Sequence, residues 1–427
     1  MILTKKIQIN PNKTALKKLW KVSSLCTNVW NACLEQRKDR KSFGKINCYS
    51  QKKELTTLKK EFPEFKIPSS QTLQNVVFGL DRCYQSFFTK WRKGDKKVRP
   101  PRFKASKYFF TQEYSQRKTS FEITDNAVLR LAFGKNKKTW IDVKVPELGY
   151  ETVKTVKIMQ DACSKKWYAC MTYFVKEKER KTDGPSIYFD PGCKTSLTGI
   201  KTTGQFCEYD FNYLRQINAS SYAFIDKLTS RRDKKKSRIS YSYRRLKRRI
   251  KKTYRKINTR TNMYLHALAN KILNDHPDVK SFQIGDWDKR QTLADTGHTF
   301  VNRRINRAVQ NNNPLGKLIE ILSYKAKIRG QEVKKFNERG TTRTCSQCNH
   351  RHKDGIKPGV RTFKCQKCDF TYSRDHQSCL NFLKKFEPAL WQRLPEIFSG
   401  RSVRVTLRPF LLKPYRIAYQ IGPILTS

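Results

Sequence analysis

The chain has 427 residues, enough for one large core and at least one accessory domain, and it carries 91 Lys and Arg against 35 Asp and Glu, a formal net charge of +56. A field of that size repels itself in a compact fold unless a polyanion neutralises it. No stretch approaches the ~20 apolar residues of a membrane-spanning helix and no signal-like apolar run opens the sequence, so nucleic acid rather than a membrane is the expected partner.

Residues 1–11 alternate apolar and polar, which predicts an opening strand. A helix is expected from Thr14 to about Arg37, on Leu16, Leu19, Trp20, Leu25, Val29, Trp30 and Cys33. A second should begin near Ser69, where Ser69 or Ser70 can cap it, and end at Gly94. Its stripe of Leu73, Val76, Val77, Leu80, Tyr84, Phe87, Phe88 and Trp91 reads as a core face. KGDKKVRPPRFK then forms a basic, proline-broken linker, and residues 107–176 read as a β-rich module on WIDVKV, TVKIMQ and WYACMTYFV.

After KEKERKTDGPS, the segments SIYFD, SLTGIKT and QFCEYD predict a meander of three short strands. A long helical region follows, in which Arg231–Lys256 holds 15 Lys or Arg and a single acid, Asp233. A solvated helix face mixes charge signs; a run of one sign points to phosphate. Arg244, Arg245, Lys247, Arg248, Arg249, Lys251 and Lys252 are therefore candidate nucleic-acid contacts. SFQIGDWD predicts a strand, Leu315–Arg329 an amphipathic helix stopped by Gly330, QEVKKFN another strand, and a last helix starts near Asp375. The order βββαβαβα is that of an RNase H-like fold, with an insert between last strand and last helix.

That insert holds Cys345-Ser-Gln-Cys348 and Cys365-Gln-Lys-Cys368, two CxxC knuckles separated by 16 residues. Each knuckle presents two thiolates to one side of a metal, and two complete a tetrahedral Zn²⁺ site. Four protein ligands leave no open position, so the zinc is expected to be structural. His350, His352 and His376 lie nearby and read as surface or phosphate-contacting groups rather than ligands. The other cysteines, among them Cys26, Cys33, Cys83 and Cys170, sit singly in apolar stretches, as small core residues of a reducing cytosol. A cytoplasmic, nucleoid-associated protein is expected. Asp190, leaving the strand SIYF before Pro191-Gly192, and Asp375, in the first turn of the last helix, are the candidate metal-binding carboxylates. Alone, Asp190 is a weak signal, since many turns read Asp-Pro-Gly, and an acid in a helix's first turn is more often a cap than a catalyst.

The chain resembles the TnpB family, the transposon-encoded relatives of type V CRISPR effectors. The most specific blocks are LSYKAKIRGQEV, TTRTCSQCNHRHK and TFKCQKCDFTYSRDHQSCLNF, with PSSQTLQNVVFGLDRCYQSFF, PRFK and FTQE in the N-terminal half. The resemblance implies an α/β multidomain protein with an RNase H-like (RuvC) nuclease core, an inserted zinc ribbon and an N-terminal β-rich wedge domain carrying a helical recognition insert. The implied domains are a wedge at 1–13 and 100–176, a recognition domain at 14–99, RuvC at 177–340 and 371–390, the ribbon at 341–370, and a basic extension at 391–427. The implied activity is Mg²⁺-dependent cleavage, by a two-metal site, of target DNA that pairs with a transposon-derived guide RNA beside a short motif. One protein per guide RNA is expected, with no membrane partner.

Carried over residue by residue, Asp190 and Asp375 are the first and last catalytic carboxylates. The middle one departs from the family pattern. Where the family has Ile-Glu-Asp, this chain has Ile284-Gly285-Asp286. The resemblance offers Glu338, just before the ribbon, as a relocated replacement. It would reach inward from one strand further out, across the space left at Gly285, while Asp286 points the other way. Gln377, Ser378 and Cys379 stand where the family has Asn, Ala and Ala. Gln71, Gln74, Asn75 and Gln112 match polar positions near the family's recognition surface, where side-chain amides suit adenine edges. The competing expectations are a nuclease-dead RNA-guided DNA binder, motivated by Gly285, and a guide-independent zinc-ribbon accessory factor. A cut-and-paste transposase lacks any other acidic triad.

Overall fold

The structure is a computed structural model that describes residues 1–44, 46–134, 139–146, 153–192, 195–287, 313–353, 356 and 360–392, with backbone alone at 40–41 and 403–405. The chain forms two compact units, Met1–Lys176 and Glu177–Ser427.

In the first unit the opening strand β1 (Ile2–Ile9) pairs antiparallel with β7 (Trp167–Phe174), from Ile2 opposite Phe174 to Ile9 opposite Trp167. β6 (Val153–Gln160) and β2 (Gln112–Tyr114) complete a sheet of order β1-β7-β6-β2. β3 (Phe121–Ile123), β4 (Val128–Ala132) and β5 (Trp140–Lys144) form a second sheet. Alternation decides what is buried: Ile7, Ile9, Val156, Ile158, Ala169 and Met171 point into one core.

The helices of this unit are α1 (Lys13–Lys38), α2 (Arg40–Phe43), α3 (Cys48–Glu61) and α4 (Ser70–Arg92). Asn12 caps α1 through Ala15 N at 2.8 Å, and Ser69 caps α4 through Thr72 N at 3.2 Å. The sequence reading missed α3. It buries only Cys48, Gln51 and Leu55, so its apolar period is faint, although Asn47 and Ser50 form a capping box at its start. The α4 stripe is a core face only in part. Leu73, Val76, Val77 and Leu80 are buried, but Phe88 and Trp91 are 40% and 48% exposed.

The second unit is α/β. Its sheet runs β12-β11-β8-β9-β10-β15, built from β8 (Ser186–Pro191), β9 (Leu197–Lys201), β10 (Phe206–Tyr209), β11 (Ser281–Gly285), β12 (Glu332–Phe336) and β15 (Val403–Val405). β8, β9 and β10 are the expected antiparallel meander, while β11 and β12 run parallel to β8. The sequence reading did not foresee β15. The rest of the basic extension beyond Gln392 lies outside the described residues.

The long basic helical region is two helices, α5 (Asn212–Asp233) and α6 (Tyr241–Asp275), broken at 234–240. They are followed by α7 (Leu315–Ile328), α8 (Arg374–Phe386) and the short α9 (Pro388–Gln392). One sheet face packs Ile187, Phe189, Phe282 and Ile284 against Tyr264, Leu268 and Ile272 of α6 and Leu318 and Leu322 of α7. The other packs Tyr188, Ile200 and Phe206 against Cys379, Leu380, Phe382 and Leu383 of α8. β8 is thus covered on both sides, which explains its nearly unbroken apolar run.

Candidate active site

Strand alternation on β8 sends Ile187 and Phe189 to the α6 face and Tyr188 and Asp190 to the α8 face. Asp190 therefore leaves the strand toward the first turns of α8, near Ser378 and Asp375. Burial and the nearby charges of Glu338 and Asp375 raise the Asp190 carboxyl well above the usual carboxylate range, against the pull of Ser378 and Arg374.

Glu338 lies two residues beyond Phe336, the last residue of β12, in the segment that leads to the ribbon. The Phe336 ring stands 4.7 Å from Phe382 of α8, on the Asp190 side of the sheet. Parallel pairing puts Ile284 of β11 opposite Phe189, so Gly285 comes level with Asp190. A Cβ built on Gly285 would overlap Glu338 Oε2, and would lie 2.9 Å from both Glu338 Cδ and Pro191 Cδ. The Glu338 carboxyl fills the space above Gly285. Its Oε2 is buried without a hydrogen-bond partner, and burial together with the Asp286 charge raises its pKa to about 7. Asp286 points elsewhere and pairs with Lys335 at 2.9 Å.

Asp375 stands in the first turn of α8, where the helix dipole favours an anion. Both of its oxygens lie 3.3 Å from a guanidinium nitrogen of Arg361, just before β13 (Thr362–Lys364). The sequence reading did not single out Arg361; it is one of 91 basic residues, and only its placement distinguishes it. It also missed how α8 grips the segment between Glu338 and the ribbon. Thr341 Oγ1 donates to Glu338 O at 2.8 Å and lies 3.1 Å from Ser378 Oγ. Gln377 Nε2 donates to Thr344 O, and Asn381 Nδ2 to the carbonyls of Thr341 and Thr344.

Asp190 thus feels the charges of Glu338 and Asp375, carboxyls carried by separate elements; Asp190 and Glu338 have raised pKa values, and Glu338 keeps a buried oxygen without a partner. Oxygen donors crowded in this way suit a hard divalent cation such as Mg²⁺, whose charge would reverse the cost of ionising them together.

The four ribbon sulfurs lie within 4.8 Å of one another, with Cys348 to Cys365 at 3.5 Å and Cys345 to Cys368 at 3.7 Å. A tetrahedron with Zn–S bonds of about 2.3 Å needs edges of about 3.8 Å, so the donor set fits zinc. The two knuckles are equivalent: Asn349 and Asp369, each following a second cysteine, have φ of 60° and 54°, a left-handed turn these residue types tolerate. Two histidine expectations are corrected here. His352 is buried against Phe363 in the ribbon interior. His376 stacks on Phe206 at 4.5 Å and lies 3.0 Å from Glu208, so neither is a surface group.

The basic run lies on α6. Arg244, Arg245, Lys247, Arg248, Arg249, Lys251 and Lys252 are exposed, while Ile250 between them is buried with Ile225 and Leu228 of α5. No ion pair holds any of the seven among the described residues. With Arg231, Lys234 and Lys235, Arg245 and Arg249 line a cleft of about 490 Å³. Of the four recognition amides, Gln112 is a correction. It is buried, donates to Leu19 O at 2.7 Å and accepts from the Tyr114 hydroxyl, so it holds the core and reads no base. Asn75 is half-buried on Glu113 O and Ser115, and Gln71 and Gln74 are partly exposed on α4.

The Cas12f1-like, TNB domain family matches residues 316–382, which span α7, β12, the ribbon and most of α8. Putative transposase R186 of Acanthamoeba polyphaga mimivirus is 30% identical over 197 residues, 46% of this chain and 39% of that protein. TnpB-like protein L79 of the same virus is 21% identical over 233 residues, 54% of this chain and 43% of that one. Over these stretches the chain is similar to TnpB-like proteins. Its match spans about two fifths of the length of these curated relatives. The fold is similar to that of a Cas12 effector: a solved Cas12f1–sgRNA–target DNA complex aligns with a TM-score of 0.58 at 14% identity, over 89% of this chain and 98% of the other.

Proposed function

We propose that this chain is an RNA-guided DNA endonuclease whose RuvC-type, RNase H-like core uses Asp190, Glu338 and Asp375 to hold Mg²⁺. The observation that supports the proposal is the Glu338 carboxyl lodged over the bare backbone of Gly285, with its charge and that of Asp375 felt at Asp190. Bound Mg²⁺ would supply charge to stabilise the attacking and leaving oxygens of phosphodiester hydrolysis. The chain's own residues fix the geometry. β8 and α8 aim Asp190 and Asp375 at one point, Thr341 and Asn381 anchor the turn that delivers Glu338, and Arg361 brings a cation to the same place. The guanidinium is free to meet a scissile phosphate when Asp375 turns to a metal.

In this reading residues 1–13 and 100–176 form the wedge and 14–99 the recognition domain. The RuvC core is 177–340 and 371–390, with the ribbon at 341–370. The exposed cations of α6 and the basic residues of 391–427 grip one guide RNA per protein in a cytoplasmic, nucleoid-associated particle. The solved Cas12f1 relative is a complex with guide RNA and target DNA, which supports these partners. Base pairing would read the target, and the protein only the adjacent duplex.

The test is reconstitution with the RNA that copurifies when the chain is expressed beside its own transposon end. Wild type should cut a matched DNA with Mg²⁺. Asp190→Ala and Asp375→Ala should bind it with guide and leave it uncut. A verified complex that binds its target and never cuts would replace the nuclease with an RNA-guided repressor.

A further inference from the structure

The apolar stripe of α4 does not stop where its support stops. Arg37, in the penultimate position of α1, reaches Asp81 at 2.9 Å, and α1 ends one residue later. From Asp81 to Arg92 no residue of α4 is buried, so these 12 residues form an arm roughly 18 Å long. Yet Tyr84, Phe87, Phe88 and Trp91 continue the i, i+3, i+4, i+7 spacing of Leu73, Val76, Val77 and Leu80. Phe87, Phe88 and Trp91 belong to none of the described cores. Tyr84 and Phe88 stack with 23° between their planes at 6.1 Å, and Phe87 tilts against Phe88 at 5.1 Å. The result is a ladder of rings open on its outer side.

Cations frame that ladder. Lys90, Arg92, Lys93, Lys96 and Lys97 are all exposed, and Lys96 Nζ sits 4.5 Å over the Trp91 ring. The one acid among them, Asp95, is turned to the backbone N–H of Lys97. A second copy of this chain would bring the same cations and a like net charge of +56 to such a face, at a cost in repulsion. Four rings over two turns also form a short apolar face for anchoring in a membrane. Rings with crowding cations fit a strand that offers π faces and phosphates together.

We infer that the outer half of α4 is a stacking platform for single-stranded nucleic acid, with unpaired bases on Phe88 and Trp91 and phosphates on Lys90, Arg92 and Lys93. Stacking ignores the sugar, so the same chemistry receives RNA or DNA. The inference needs no metal centre and survives if the chain cuts nothing.

The test uses the full chain freed of nucleic acid, with fluorescent 20-nucleotide single strands of RNA and of DNA, each also made as an abasic backbone. The variants are Phe88→Ala/Trp91→Ala and the ring-preserving Phe88→Tyr/Trp91→Phe; both replace exposed side chains and should melt with wild type. The alanine pair should weaken binding of base-bearing strands by about tenfold or more and leave abasic binding unchanged, while the ring-preserving pair binds as wild type. The strand with the larger loss identifies the natural occupant. Equal losses for abasic and base-bearing strands, or no loss at all, would overturn the inference. So would an alanine pair that instead loses self-association in sedimentation, or loses flotation with anionic vesicles.

Discussion

The Glu338 carboxyl occupies the volume that a side chain at residue 285 would take, so glycine at 285 and glutamate at 338 are two halves of one arrangement. Gly285→Ala should therefore fold but displace the carboxyl and lower cleavage by about 100-fold, since each misplaced metal ligand costs several kcal/mol of transition-state stabilisation. Glu338→Gln should abolish Mg²⁺-dependent cleavage, while Asp286→Asn, whose side chain faces Lys335, keeps most of it. Gly285→Glu combined with Glu338→Ala restores an acid from the neighbouring strand and should recover part of the rate. Single-turnover cleavage of a guided target measures all four. Full activity in Glu338→Gln would remove Glu338 from the site.

Zinc on the four thiolates would hold together an insert whose own apolar core is little more than Phe363, Ile356 and Phe370. Chelation, or Cys345→Ser with Cys348→Ser, should unfold the ribbon, because metal binding there is folding free energy. Thr341, Thr344 and Ser346 are clamped to α8, so the loss should spread to the Glu338 turn and lower cleavage as well. Hydrogen exchange across 338–386 reads the spread. One zinc per chain is expected from metal analysis of reduced protein, and none would refute the ribbon.

RNA affinity should fall steeply with salt. Each phosphate neutralised on a single strand adds about 0.7 to the log–log slope, so seven exposed cations on α6 can contribute several units. Charge reversal across Arg244–Lys252 should flatten the slope by a matching amount. An unchanged slope would leave that helix face merely solvated.

His276, between α6 and β11, is held below its usual pKa by burial, with Lys201 and Lys271 adding to the effect and Asp275 and Asp278 opposing it. Its ring nitrogen meets the Tyr209 hydroxyl at 2.9 Å. The folded state thus prefers the neutral ring. Its contribution to stability is complete above about pH 6.5 and is lost as pH falls through the lower folded value, where the unfolded chain takes up the proton more readily. His276→Asn keeps a hydrogen-bonding group for Tyr209 and removes the titration. Its melting temperature should fall less than that of wild type between pH 7 and pH 5; an equal fall would show that other groups carry the acid sensitivity.

The sequence by itself determined whatever depends on neighbours a few residues apart. Periods of two and of about 3.6 mark β1, β8, α1 and α7, because alternation and helical twist act on contiguous residues. The two CxxC knuckles carry their own geometry, so the metal cluster was readable before any fold. Placement across the chain was not. The stripe of α4 continues for four aromatic residues beyond the end of α1, and only the packing tells which half is core. Gln112 looks like any surface amide until it is found inside, bonded to Leu19. Arg361 carries no local mark at all; it matters because the ribbon folds back on the first turn of α8. The meeting of Glu338 with Gly285 needed both kinds of information: the missing side chain is read from the sequence, and the parallel register of β8, β11 and β12, fixed by a core buried on both faces, sets the level at which Gly285 stands and from which the segment carrying Glu338 departs.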